Sequence, residues 1–365
     1  MILPVEYSEC RQRFIDAALT ARLTTYVLPS EAGASGETLS MDTAYIGPDA
    51  PKRLLITLSA VHGVEGPAGS GIQSQWLRDH ADGKIDLTPD TGVLHIHAAN
   101  PWGFSHRART NENNVDLNRN FRDLADVEHL NRDFDEIYDI LHPQSPESDV
   151  IKQHLAALDA KSDEWGLDRV MNTMSAGQYR HQGALDFGGS EEQWSVTHIK
   201  KAVEPYLKTA IDVAIIDFHT GYGDYGETVF LCFNEPSGPA WRRAEEWFGY
   251  DTINAKAINP GGEEKTFKRP DYSGVIAAGL HDMTQALERS VTCVVEFGTY
   301  PISEYMGDVL RENWAYRGGV RDQREDIVEA FARQFAPLDE AWGQSVLAHG
   351  RRILDQAIVG LGKIS

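Results

Sequence analysis

The sequence predicts an α/β fold: a mixed, mostly parallel central sheet covered by helices on both faces. Two observations carry that expectation. Short and nearly continuous apolar runs recur along the 365 residues, and long stretches with helical spacing separate them. The composition, 41% hydrophobic and 24% charged, excludes a disordered, fibrous or membrane-spanning chain. At this length we expect a single catalytic domain, 1–365, with a helical insertion at about 123–208.

Phe14, Ile15, Ala18 and Leu19 lie at helical spacing in an opening helix over about 8–22, and Thr24 to Leu28 reads as a β-branched strand. Leu54 to Ala60 (LLITLSA) has the look of a strand buried on both faces, and Pro67 can start the helix after it. Val93 to Ala98, Val213 to Phe218, Val229 to Phe233 and Val291 to Phe297 are the other strand candidates. Asp123 to Lys208 is charge-rich, helical in pattern and without a comparable strand, which marks it as the insertion. In the tail, Ile327, Ala330, Phe331, Phe335, Val346, Ile353 and Ala357 repeat at helical spacing, so helices there should pack on the sheet.

The balance of 34 basic against 55 acidic residues, −21 in all, argues against a nucleic-acid partner. Apolar runs are too short for a membrane span, and MILPVEYSECRQR meets charges too early for a signal peptide. A cytoplasmic location without a membrane partner is therefore expected; oligomeric state is not legible. Cys10, Cys232 and Cys293 form no CxxC pair and are expected to be reduced and buried.

Four stretches could carry chemistry. In SAVHGVEGPAG, His62 and Glu65 follow the LLITLSA strand, and ligands gather beyond the carboxyl ends of strands in open α/β sheets. An ordinary strand-to-helix turn with a solvated Glu is the bland alternative. Asn100 to Phe121 is a polar loop that, with Arg122, concentrates Arg107, Arg109 and Arg119 in an acidic protein. Such a cluster wants an anion, unless the arginines pair with Glu112, Asp116 and Asp123. His219 closes the strand of AIIDFHTGYGDYG, and with His62 and Glu65 it would complete three protein ligands for a catalytic zinc. Glu296 stands in the apolar stretch CVVEFGTYP, where a carboxylate is costly unless used. Near a metal-activated water it would serve as general base and then as acid.

In this order, HxxE, NPWG…RTN…DLNRNF, a strand-end His and a strand-borne Glu, the chain resembles the zinc-carboxypeptidase-like hydrolases from Leu54 to about Pro301. Within them it is most similar to a bacterial branch of metallopeptidases with unassigned substrates, because GQYRHQGALDFGG (Gly177 to Gly189) and DFHTGYGDYG also match that branch; succinylglutamate desuccinylases and aspartoacylases are more distant. The resemblance implies one Zn2+ held by His62, Glu65 and His219, with Glu296 activating the water. Arg109 would polarise the scissile carbonyl, Asn118 and Arg119 would grip a free carboxylate of the substrate, and Asp116 would orient His62. A metal-bound His usually donates its other N–H to such a carboxylate, although an Asp capping a turn explains Asp116 equally well. Gly66 and Pro67 depart from the digestive carboxypeptidases, the Glu65-to-His219 interval is longer, and Tyr222, Tyr225 and Tyr300 are only nearby candidates for their mobile tyrosine.

His95 and His97 share one face of VLHIHA and read as core or sheet-surface histidines, a second metal there being the minor alternative. His106 and His181 are expected in loops at the cleft rim. The expected activity is a zinc-dependent hydrolase that cleaves an amide next to a free carboxylate, in a small peptide or an N-acyl amino acid. A deacylase or esterase without peptide specificity competes with it. A non-catalytic carboxylate-binding protein ranks lower, because pure binding needs no general base such as Glu296 in an apolar strand.

Overall fold

The structure, a computed structural model, describes residues 2–253, 256–258, 264–266, 271–285 and 287–363. Its strands are β1 (Arg22–Ala32), β2 (Thr38–Ile46), β3 (Arg53–Leu58), β4 (Thr91–His97), β5 (Asp212–Thr220), β6 (Thr228–Cys232), β7 (Lys256–Ile258), β8 (Glu264–Thr266) and β9 (Ser290–Phe297). Seven of them form one sheet in the order β1-β2-β4-β3-β5-β9-β6, while β7 and β8 pair separately. The four central strands β4, β3, β5 and β9 run parallel, and β1, β2 and β6 join antiparallel at the flanks. This is the mixed sheet with a parallel centre that the apolar runs imply.

The helices are α1 (Tyr7–Ala17), α2 (Gly66–Ala81), α3 (Pro101–Ser105), α4 (Phe134–Leu141), α5 (Ser148–Trp165), α6 (Leu167–Ser175), α7 (Trp194–Leu207), α8 (Pro239–Phe248), α9 (Tyr250–Ile253), α10 (Ile276–Asp282), α11 (Ile302–Arg317), α12 (Glu325–Phe335) and α13 (Glu340–Lys363). Strand periodicity sends alternate residues to opposite faces. Leu55, Val93, Ala214 and Ile216 pack on one side with Trp76 of α2 and Trp342 and Ile353 of α13. Leu54, Ile56, Leu94, Val213 and Ile215 pack on the other with Val196, Ile199 and Val203 of α7 and Ile276 and Leu280 of α10. Each such side chain contributes about 1.5–3 kcal/mol on burial, so both faces must be apolar.

Two local expectations need correction. The opening helix ends at Ala17, not near 22, because Arg22 already begins β1. β2 was not anticipated: Ser40, Asp42 and Thr43 interrupt its apolar pattern, yet Asp42 is buried and held by Arg11 Nε at 2.6 Å and by the Thr25 hydroxyl at 2.6 Å. Between 123 and 208 the described residues form α4 to α7 and no strand, apart from an isolated bridge between Gln178 and Phe187. The three cysteines are free and buried. No helix among the described residues is long and apolar enough to cross a membrane.

Candidate metal centre and active site

The carboxyl ends of β3, β5 and β9 lie side by side and build the site from three directions. Beyond β3 the chain turns through a 3-10 segment, Gly63–Glu65, into α2. That turn is pinned to the arginine loop, since Gly63 N–H donates to Arg109 O at 3.3 Å and Val64 N–H to Ala108 O at 2.9 Å. Gly63 is required there: a Cβ would come within 2.0 Å of the Gly103 carbonyl carbon in α3. Ala60 and Ala98, just past β3 and β4, hold φ of 56° and 58°, left-handed conformations of the kind that cluster near functional sites.

His62, Glu65 and His219 converge with all three side chains buried. His62 Nδ1 lies 2.9 Å from Glu65 Oε1, His219 Nδ1 lies 2.9 Å from Glu65 Oε2, and the two Nδ1 atoms are 3.1 Å apart. Zinc bonds of about 2.0–2.2 Å in a tetrahedron separate their donors by roughly 3.3–3.5 Å, so the cluster needs only a small expansion to hold one divalent ion. The outward nitrogens support the same chemistry. His62 Nε2 is 3.2 Å from Asp116 Oδ1, and His219 Nε2 is 2.9 Å from Asp217 Oδ2. A proton held on each outward nitrogen leaves a lone pair on each Nδ1 facing the centre. The donor set could therefore hold a divalent metal ion.

Electrostatics agree with the geometry. Burial alone would raise the Glu65 carboxyl, but the two imidazoles outweigh it and hold the group well below the usual carboxylate range. Burial likewise opposes the Asp116 charge, and Arg109, His62 and Arg119 reverse that effect. Burial disfavours the His219 imidazolium, yet Asp217 and Glu65 push its pKa well above the ordinary histidine value. Without metal the acids thus recruit a proton to His219, which a divalent cation would displace.

Asp116 Oδ1 lies 3.2 Å from His62 Nε2 and also accepts from Asn118 N–H at 2.8 Å, capping the 3-10 turn Leu117–Arg119. Arg109 sits above the cluster, with Nη2 3.0 Å from Asp116 Oδ2 and Nη1 3.5 Å from Glu65 Oε1; its side chain is 30% exposed. Asn118 is buried, accepting from Ile276 N–H at 2.9 Å, with Nδ2 3.3 Å from His219 Nε2. Arg119 is buried as well. It donates to Asn118 O, lies 3.2 Å from Asp186 Oδ2 and stacks its guanidinium 5.0 Å from the Tyr272 ring centre. The pairing of arginines with loop acids holds for Arg109 with Asp116, while Arg107 meets Glu6 and Glu325 and Arg122 meets Ser273 and the Asp123 carbonyl.

Glu296 stands beside His219 by strand register, and its Oε2 is buried with no hydrogen-bond partner among the described residues. Burial, helped by Glu65 and Asp217 and opposed by His219 and Arg109, pushes its pKa up to about 8. Tyr222, Tyr272 and Tyr305 all feel the Glu296 charge. Tyr225 and Tyr300 instead pack against each other with their rings tilted by 52°, and Tyr225 donates to Asp339.

Sequence reasoning missed Asp217, Asp186, Tyr272 and Tyr305. Asp217 had a signal, a carboxylate inside the apolar strand AIIDF two residues before His219 and so on the same face. His106 and His181 do not reach the cluster: His106 contacts Ala32 O and Trp102, and His181 contacts Asp135. His95 and His97 are buried core residues, each with one nitrogen unpartnered. A groove of about 470 Å3 lined by Glu246, Trp247, Arg351 and Asp355 shares no residue with the cluster.

The model of the family described as "Protein of unknown function (DUF2817)" matches residues 4–349. The chain belongs to the DUF2817 family. No curated protein matches it. Among solved structures, this DUF2817 chain is similar to a Shewanella amazonensis SB2B protein provisionally named a metallopeptidase, at 15% identity and TM-score 0.42 over 91% of this chain and 92% of the other. It is also similar to a metallo-carboxypeptidase from Pseudomonas aeruginosa, at 13% and 0.42 over 88% and 69%, and to carboxypeptidase A from Helicoverpa armigera, at 11% and 0.43 over 88% and 72%.

Proposed function

We propose that the chain is a zinc-dependent hydrolase that cleaves an amide bond next to a free carboxylate, in a small peptide or an N-acyl amino acid. The observation that carries this reading is the convergence of His62, Glu65 and His219 beside Glu296, whose buried Oε2 has no hydrogen-bond partner among the described residues. Zinc bound there supplies Lewis acidity toward a carbonyl and acidifies a water. Glu296 takes the proton of the attacking water and delivers it to the departing nitrogen. Arg109, the more open of the two site arginines, stabilises the charge that develops on the carbonyl oxygen. Asn118 and Arg119 define the seat for the substrate carboxylate, as the resemblance implies. The reading takes residues 1–365 as one catalytic domain with 123–208 inserted, acting in the cytoplasm.

Elemental analysis followed by a substrate panel tests it. Glu296→Gln is expected to keep its zinc and lose about 10²–10⁴-fold in turnover; near-normal rates would remove Glu296 from the reaction. Dipeptides and N-acyl amino acids should be cleaved faster than their C-terminally amidated counterparts. A second reading, a deacylase or esterase indifferent to that carboxylate, draws support from one observation: Arg119 already carries an acidic partner, Asp186. Equal cleavage of the amidated forms would select it.

A further inference from the structure

Asp186 occupies an unusual place. It is a non-glycine residue at φ 54°, in the left-handed region, and its side chain is only 10% exposed. Its backbone carbonyl accepts from Gln178 N–H at 3.0 Å, and the next residue, Phe187, accepts from Asp116 N–H at 2.8 Å. The loop is thereby tied both to its own start and to the segment that carries Asp116, Asn118 and Arg119. From there the carboxylate reaches between two guanidiniums, Oδ2 at 3.2 Å from Arg119 Nη2 and Oδ1 at 3.9 Å from Arg109 Nε.

A pair of neighbouring arginines recognises a carboxylate and repels a cation. Here the carboxylate is the protein's own. Counting charges leads to the same point. Three acids, Glu65, Asp116 and Asp186, already face the two guanidiniums of Arg109 and Arg119. Both guanidiniums are thus engaged by the protein's own acids before a substrate brings a carboxylate.

We infer that Asp186 is a specificity-determining residue: it sits against Arg119 in the seat proposed for the substrate carboxylate, with Arg109 at the edge of that seat, and a carboxylate-bearing substrate must displace it to bind. The inference rests on the function proposed above and refines it. The resident acid raises KM for substrates with a free carboxylate and narrows their advantage over amidated ones. The left-handed backbone at 186 gives the loop a reason to relax once the side chain is released.

Asp186→Asn tests this, because asparagine tolerates the left-handed conformation and keeps the shape while removing the charge. KM for a free-carboxylate substrate should fall about tenfold or more, equivalent to about 1.4 kcal/mol, with little change for the amidated counterpart. Succinate should also raise the melting temperature of the variant well above its effect on the wild type, whereas the uncharged succinamide should not. If free and amidated substrates are cleaved alike by both proteins, the carboxylate reading itself fails. If free carboxylates are preferred but the ratio and the succinate effect do not change in the variant, the Asp186 inference alone is overturned. Should Asp186→Asn and Asp186→Gly both fail to fold, recovery of folding by succinate supports the seat, and no recovery overturns it.

Discussion

At the scale of single residues, the site depends on acids and bases holding one another's charge. Glu296 provides a pH test. Its pKa in the folded metal-free protein is pushed up to about 8 from an ordinary 4.5, so between those values the folded state binds the extra proton. Stability from this group is therefore lost as pH rises from about 4.5 to 8. Glu296→Gln should flatten that part of the curve, seen in melts of chelated protein from pH 5 to 8.5; parallel curves for variant and wild type would refute the shift. Asp217, fully buried and 2.9 Å from His219 Nε2, makes a separate prediction. Asp217→Asn should weaken zinc affinity by about 10–100-fold, because the imidazole loses the group that holds its tautomer. Metal competition titrations would measure this, and unchanged affinity would leave Asp217 without a positioning role.

At the scale of elements, strand ends and the tight turn past β3 set the geometry. Gly63→Ala would drive a Cβ to 2.0 Å from the Gly103 carbonyl carbon, backbone that cannot step aside cheaply. We expect a stability loss on the order of 1–3 kcal/mol in urea unfolding, with weaker zinc binding because both His62 and Glu65 ride on that turn. A fully stable, metal-competent variant would show that α3 can yield. The central strands were legible because both their faces are buried, which writes them as unbroken apolar runs such as Leu54 to Leu58. β2 was not, since Asp42 looks like loop chemistry until Arg11 and Thr25 are seen to neutralise it. Asp217 escaped notice although it breaks an apolar strand as Glu296 does. Asp186 could not have been found this way, because nothing in GALDFGG says which arginines it will meet.

For the molecule as a whole, a metal ion would tie together segments far apart in the chain, His62 and His219 being 157 residues apart. Folding must then bring several like charges to one point. Chelation should lower the melting temperature and zinc should restore it, by about 2.7 kcal/mol when free zinc is a hundredfold above its Kd. Glu65→Gln should abolish most of that increment; an identical melting temperature with and without chelator would argue against a metal centre at this cluster.

The apolar runs determined by themselves that a parallel centre would form, because a strand covered on both faces has no choice of composition. The order of His, Glu, Arg, His and Glu along the chain was likewise enough to nominate the chemistry. What folding alone decided is the pairing of charges. Coulomb energy depends on distances between side chains, and chain order says nothing of whether Arg119 faces solvent or Asp186. The candidate ligands could be named from the sequence, while the place of Asp186 beside Arg119 and Arg109 was settled by the packing of one left-handed loop.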